Sequence, residues 1–188
     1  MASNPKILLT PEEYLAIERK AEYRSEYYAG EMFALAGASR RHNRIVSNLV
    51  IRLGIQLEDT PCNIYSTDLK VKIPATGLYT YPDVVVTCGE ELFDGVETDV
   101  LLNPILIIEV LSDSTEAYDR GKKFGYYQQL SSLKEYVLVA QDTHKIERYI
   151  RQSDEQWLYS EAHTPEDTII FSSIECRIAL KNIYAKVG

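Results

Sequence analysis

The sequence predicts an α/β (α+β) domain in which a mixed central β-sheet is flanked by helices and preceded by an N-terminal helix and hairpin. Three observations carry that prediction. Pro104 to Ser112 is a nearly unbroken apolar run, as expected of a strand at the centre of a sheet covered on both faces. Ile45, Val46, Leu49, Leu53 and Leu57 recur at three- and four-residue spacing, the signature of a long amphipathic helix from about Arg41 to Leu57. The 188 residues contain no internal repeat, low-complexity tract or linker, so residues 1–188 are read as one domain.

Taken in order, Thr10-Pro11-Glu12-Glu13 is a capping box with proline at the first helical position, and predicts a helix from about Pro11 to Ala21. Ser25 to Tyr28 and Met32 to Leu35 flank Ala29-Gly30-Glu31 and read as a hairpin. After the long helix, Ile64 to Ile73 reads as one strand, Pro74 to Gly77 as a turn, and Tyr81 to Thr87 as the next strand. Cys88 to Asn103 reads as a loop rich in Asp, Glu and Gly. Ser112 to Thr115 then leads from the central strand to a helix over Ala117 to Leu130, and Glu135 to Ala140 is another apolar strand. Shorter strands are expected at 145–150, 157–159 and 168–171, with a helical turn near Leu180 to Tyr184.

A hydrophobic content of 45% is ordinary for a globular protein and excludes a disordered chain. A net charge of −8 argues against a passive nucleic-acid coat, because neutralising phosphates takes Lys and Arg; it does not argue against an enzyme whose acidic site holds a metal. No apolar run reaches membrane-spanning length and Met1 to Thr10 lacks a leader pattern, so a cytoplasmic protein with no membrane partner is expected. Cys62, Cys88 and Cys176 are odd in number and far apart, and are read as three free thiols. The fourteen tyrosines suggest amphipathic contact surfaces, serving either a homodimer or base stacking.

Two carboxylates stand out. Asp83 lies in Tyr81-Pro82-Asp83-Val84-Val85-Val86 and Glu109 in Ile105-Leu106-Ile107-Ile108-Glu109-Val110. Desolvating an unpaired charge costs several kcal/mol, so each needs a metal, a basic partner or water. If the two strands are antiparallel neighbours, both carboxylates reach one ion, and oxygen ligands of this kind suit Mg²⁺ or Mn²⁺ better than zinc. The ordinary alternatives are that Asp83 merely opens a strand after Pro82, and that Glu109 forms a buried ion pair with Arg120 or another base. On the following helix, with Phe124 taken as the buried centre, Lys122 faces solvent while Arg120, Lys123 and Tyr127 form a flank beside the core. Lys123 is the better candidate for stabilising charge at phosphorus, although an isolated helical lysine is ordinarily solvated.

This pattern resembles the PD-(D/E)XK nucleases, whose core strands carry Pro-Asp and then Glu-x-Lys. Here the match is Pro82-Asp83 and Glu109-Val110-Leu111, with Leu111 where the superfamily usually has lysine; Lys123 would be that lysine moved to the next helix. More of the chain is similar to one bacterial branch, restriction-endonuclease-like proteins long classed as a domain of unknown function. The similar segments include Thr10 to Leu15, Glu26 with Gly30-Glu31, His42, Asp68, Tyr81 to Val84, Ile108 to Ser112 and Tyr118 to Tyr127.

The resemblance implies a restriction-endonuclease-like core and a Mg²⁺-dependent endonuclease acting on DNA through a metal-activated water. Its site is built from Asp83, Glu109 and Lys123, with Asp83 and Glu109 as metal ligands. It also offers Glu26 as the acidic residue placed before Pro-Asp, where the alternative is an exposed strand position. His42 starts a helix in phase with its apolar stripe, either as a hydrogen-bonded core residue or in contact with the scissile phosphate. Nucleases that cut both strands often work as pairs, so a homodimer is expected. The competing reading is a nuclease-like domain without catalysis, acting as a nucleic-acid or protein binding module.

Overall fold

Helix α1 (Pro11–Glu18) begins as its capping box demands: the Thr10 side chain accepts the Glu13 N–H at 3.2 Å and Glu13 returns a bond to the Thr10 N–H at 2.8 Å. The computed structural model describes residues 8–112 and 115–188; residues 1–7, within the segment read for a leader, and Asp113 and Ser114, within the link to the third helix, lie outside the described residues. Strands β1 (Ser25–Tyr28) and β2 (Glu31–Ala34) form the expected hairpin, closed by Ala29 and Gly30 at positive φ, the requirement of a two-residue hairpin turn. Helix α2 (Arg40–Leu57) follows, capped by Ser39.

The stretch read as one strand from Ile64 to Ile73 is two, β3 (Cys62–Ser66) and β4 (Lys70–Ile73), which join different sheets. The break falls at Thr67, whose φ of 52° turns the chain left-handed and ends the ladder. Likewise β5 (Leu78–Thr80) and β6 (Val84–Cys88) are separated at Tyr81-Pro82-Asp83, where proline lacks the N–H a ladder needs. The acidic loop holds a short strand, β7 (Val100–Leu101), before the central β8 (Leu106–Leu111).

The helix expected over 117–130 consists of α3 (Glu116–Tyr118), a π-helical turn over Asp119–Lys123 and α4 (Phe124–Tyr127). Then come β9 (Glu135–Ala140), the long hairpin β10 (Ile146–Ser153) and β11 (Gln156–Ala162), the ribbon β12 (Thr168–Phe171) and β13 (Cys176–Ala179), and α5 (Leu180–Ile183).

Among the described residues the sheets run β2-β1-β5-β4-β7, β11-β10-β9-β8-β6-β3 and β12-β13. The six-stranded sheet is mixed, with β8 parallel to β9 and antiparallel to β6. Its two faces are both covered, which explains the unbroken apolar character of β8. On one face Val84, Ile108 and Val137 pack with Ile45, Leu49 and Leu53 of α2; on the other, Val85, Ile107 and Leu138 pack with Tyr127 and with Val71 of the second sheet. Each fully buried aliphatic side chain contributes about 1.5–3 kcal/mol, so this two-sided core holds β6 and β8 rigidly side by side. Among the described residues no helix is long and apolar enough to cross a membrane.

Two expectations are corrected. Cys62 and Cys88 are directly opposed on β3 and β6 and form a disulfide, leaving buried Cys176 as the free cysteine; pairing arises from strand register, which residue spacing does not display. Closing a loop over 26 positions limits the unfolded chain by roughly 3 kcal/mol in the entropic account. Thiol titration of the denatured, unreduced chain is expected to find one reactive thiol, and three after reduction.

The tyrosines are also turned largely inward rather than outward. Tyr14, Tyr27 and Tyr79 make an aromatic cluster, with Tyr14 stacked on Tyr27 at 4.9 Å, and Tyr127 and Tyr136 lie in the core.

Helix α1 is tied down by a second device. Arg19 grips Asp99 through two bonds of 2.9 and 3.0 Å while Lys70 approaches at 3.0 Å. The Arg19 bond, opposed by partial burial and reinforced by Lys70, holds the Asp99 carboxyl down at about 2. A depressed carboxyl stabilises the fold above its unfolded value and loses that effect as pH falls through its folded one. Asp99→Asn is therefore expected to lower the melting temperature by about 2–4 °C at pH 7, for a partly exposed pair worth about 1 kcal/mol, with the deficit fading between about pH 4 and pH 2.

Candidate active site

The antiparallel register of β6 and β8 pairs Val84 with Ile108, so Asp83, one residue before β6, falls beside Glu109. The two carboxylates are woven into each other's backbone. Asp83 accepts the Val110 N–H at 2.8 Å through Oδ2, and its own N–H donates to Glu109 Oε2 at 3.3 Å. Asp83 Oδ1 lies 2.9 Å from His42 Nε2. His42 is presented by the first turn of α2, where its backbone N–H bonds the Ser39 side chain at 3.0 Å.

Glu109, almost wholly buried, receives the Tyr127 hydroxyl at 2.8 Å and Lys123 Nζ at 3.0 Å, both on Oε1. Lys123 is equally enclosed and lies 3.2 Å from Glu26 and 3.6 Å from Asp119. Glu26, supplied by β1, is buried and accepts the Thr80 hydroxyl. The π-helical turn explains how Asp119 and Lys123 both point inward from one short helix. Its backbone is wider than an α-turn, and such turns recur at functional sites.

Negative charge is in excess here. Burial pushes the Glu109 carboxyl up to about 8; Lys123 pulls against that shift, and Asp119 and Asp83 add to it. Burial likewise raises Asp119. Burial works to lower Lys123, but Glu109, Tyr127, Glu26 and Asp119 overcome it and hold the amine well above its ordinary range, so the lysine is a fixed cation. Asp83, Glu109, Asp119 and Lys123 open into a cleft of ≈ 310 Å³, whose other walls include His42 and Arg24.

Among the described residues no group of three or more His, Cys, Asp or Glu side chains is placed to hold a metal ion. Mg²⁺ and Mn²⁺ ask for less, usually one or two carboxylates with the remaining positions left to water and phosphate oxygens. Asp83 and Glu109, adjacent and open to the cleft, fit that demand in donor type.

Asp83, Glu109, Lys123, Glu26 and His42, picked out from sequence, are thus brought together. Glu26 is buried rather than an exposed strand residue, and Glu109 does form a buried ion pair, with Lys123. Arg120 departs from the expected flank: it bonds Glu116 at 2.8 Å and pairs with Glu147, because the π-turn rotates it away from Lys123. Phe124, taken as the buried centre, is half-buried, and the inward face is Asp119, Lys123 and Tyr127. Asp119 was missed; its signal was the four-residue spacing to Lys123. Arg24 was missed as well, and no sequence pattern marks it.

A mixed sheet covered on both faces, with carboxylates on adjacent central strands and a lysine from the next helix, defines a restriction-endonuclease-like protein. The chain belongs to the Uma2 family, described as "Putative restriction endonuclease", whose model matches residues 11–180. It is 38% identical over 165 residues to the uncharacterized protein sll1609 of Synechocystis sp., covering 88% of this chain and 93% of that one. It is 37% identical over 182 residues to slr1290 of the same organism, covering 97% and 94%. In fold it matches the crystal structure of a putative nuclease of the DUF820 group from Anabaena variabilis, with TM-score 0.78, 17% identity, and 96% and 99% of the two chains covered. The protein is therefore nuclease-like, of a class that generally uses divalent metal ions.

Proposed function

We propose that the protein is a Mg²⁺- or Mn²⁺-dependent endonuclease that hydrolyses DNA phosphodiester bonds. The observation that carries this reading is the meeting of Asp83 and Glu109 on neighbouring strands with Lys123 Nζ 3.0 Å from Glu109. A divalent ion held by Asp83 and Glu109 would supply Lewis acidity, making a water nucleophilic near neutral pH and polarising the phosphoryl oxygens.

The chain's own residues do the rest. The Val110 N–H and His42 orient Asp83, and Tyr127 orients Glu109. Lys123 presents a permanent charge that stabilises the extra negative charge developing at phosphorus, while Glu26 and Asp119 hold its amine in place. The buried setting strengthens each of these interactions, because little solvent screens them.

Cleavage of supercoiled, linear and single-stranded DNA with Mg²⁺ or Mn²⁺ tests this reading, with wild type beside Asp83→Ala, Glu109→Ala and Lys123→Ala. Each replacement is expected to lower the rate by about 10²–10³ or more. Metal-dependent cutting that survives all three would place the site elsewhere, and failure of the wild type on every substrate would leave a binding module. Cutting both strands calls for two sites, hence a homodimer; a light-scattering mass of 21.5 kDa at all concentrations would exclude the dimer.

A further inference from the structure

Among the described residues, the basic side chains lining the cleft are Lys123, His42 and Arg24, and the first two are committed. Lys123 lies among Glu109, Glu26 and Asp119, and His42 is bonded to Asp83. Arg24 is different. Its Nη1 donates to the carbonyl oxygen of Thr67, and its charged partner, 3.3 Å away, is Asp68, a side chain 84% exposed to solvent. A pair of that kind is weak and easily exchanged for another anion.

We propose that Arg24 grips the phosphate next to the scissile one, so that the site takes a polynucleotide strand rather than an isolated phosphodiester. This rests on the nuclease reading above and specifies its substrate. Three features of the structure argue for it.

The first is position. Thr67, whose carbonyl Arg24 holds, donates its own N–H to the carbonyl oxygen of Asp83 at 3.2 Å. Arg24 is therefore one residue removed from the carboxylates, beside the reacting centre and not in it. Thr67 is also a β-branched residue at φ 52°, a conformation that persists only where its surroundings impose it and that clusters at functional sites.

The second is preorganisation. The guanidinium carbon lies 5.6 Å from the centre of the Tyr81 ring, and the Tyr81 hydroxyl donates at 2.8 Å to buried Glu18. A guanidinium anchored at one nitrogen over a fixed ring keeps donors free in a plane, the geometry that meets two oxygens of one phosphate.

The third is charge. The cleft carries Asp83, Glu109 and Asp119, in a chain of net charge −8. Without Arg24 a strand entering past these carboxylates would find no cation for its second phosphate among the lining residues described.

The test uses the full-length, metal-loaded protein on two substrates. Bis(p-nitrophenyl) phosphate has one diester and no neighbouring phosphate; an oligonucleotide has both. For Arg24→Gln and Arg24→Lys, kcat/KM on the oligonucleotide is expected to fall at least about tenfold more than on bis(p-nitrophenyl) phosphate, with the loss lying in KM. The slope of log(kcat/KM) against log[salt] should shrink by about 0.7–0.9, the value for one phosphate contact. Asp68→Asn, which frees Arg24 from its competitor, is expected to lower KM for the oligonucleotide.

Equal losses on both substrates would reduce Arg24 to a support for Thr67 and Asp83 and overturn the proposal, as would no loss on either. Wild type inactive on both substrates would instead bring down the nuclease reading, and the proposal with it.

Discussion

Lys123→Met is expected to destabilise the metal-free protein by about 3–5 kcal/mol at pH 8, because a buried ion pair broken on one side leaves uncompensated charge. For a domain of this size that is a fall in melting temperature of roughly 10 °C or more. The methionine keeps the length and much of the bulk of the lysine stem, so the loss is electrostatic rather than a cavity. What remains is Glu109, Glu26 and Asp119, all buried, facing one another without the amine that stands within 3.0 to 3.6 Å of each. The deficit should shrink at pH 5, because burial raises the Glu109 and Asp119 carboxyls and their protonation relieves the repulsion, and Mn²⁺ should recover part of it at pH 8. Lys122→Met is the control: Lys122 is exposed and lies over the Tyr28 and Tyr126 rings at 5.3 and 5.7 Å, a contact worth about 1 kcal/mol or less. Urea unfolding followed by circular dichroism at both pH values measures this. Equal, small losses for the two variants at both pH values would mean that Lys123 does not hold the acidic cluster together.

That Lys123 rather than Lys122 turns inward was legible in the sequence, but through an argument whose details differ from the structure. Regular α-helical phase with Phe124 at its centre selects Lys123, whereas the chain places it through a π-turn with Tyr127 buried and Phe124 half-buried. Asp119 escaped because, beside Arg120 in a mixed charged segment, it looks like any solvated helical residue; its one signal is the four-residue spacing that puts it on the same face as Lys123. Asp83 and Glu109 were visible because a charge inside an apolar strand is costly, and cost is what sequence patterning displays best.

The same contrast runs through the fold. Strand β8 and helix α2 announce themselves because burial on two faces, or on one stripe, forces a repeating composition. The split of Ile64 to Ile73 into β3 and β4 was marked only by the short polar run Ser66-Thr67-Asp68, and nothing in threonine foretells a left-handed φ. Nor could the Cys62–Cys88 link be read from a spacing of 26, because it exists only once β3 and β6 are in register.

Without a divalent ion, the stability of the wild-type protein should decline as pH rises from about 5 to about 9, and Glu109→Gln should remove the larger part of that decline, the remainder belonging to the raised Asp119 carboxyl. Burial, aided by Asp119 and Asp83 and opposed by Lys123, lifts the folded-state Glu109 carboxyl from 4.5 to about 8. Below pH 4.5 the group is protonated in folded and unfolded chains alike, and contributes no slope. Between the two values the unfolded chain has released its proton while the folded chain retains it, so each step upward in pH favours unfolding. The loss is complete above about 8 and amounts to a few kcal/mol. Glutamine in its place still accepts the Tyr127 hydroxyl but cannot ionise, so the difference between the two proteins isolates this one group; the Asp99 effect lies below pH 4 and does not intrude. A divalent cation reverses the preference, because it binds the carboxylate and not the acid. The gain in melting temperature from Mn²⁺ should therefore be larger at pH 8 than at pH 6, with net proton release measured by calorimetry in buffers of different ionisation enthalpy. A gain from Mn²⁺ independent of pH, or one equally large in Glu109→Gln, would remove Glu109 from the metal site and leave its burial among Lys123 and Tyr127 as a purely structural arrangement.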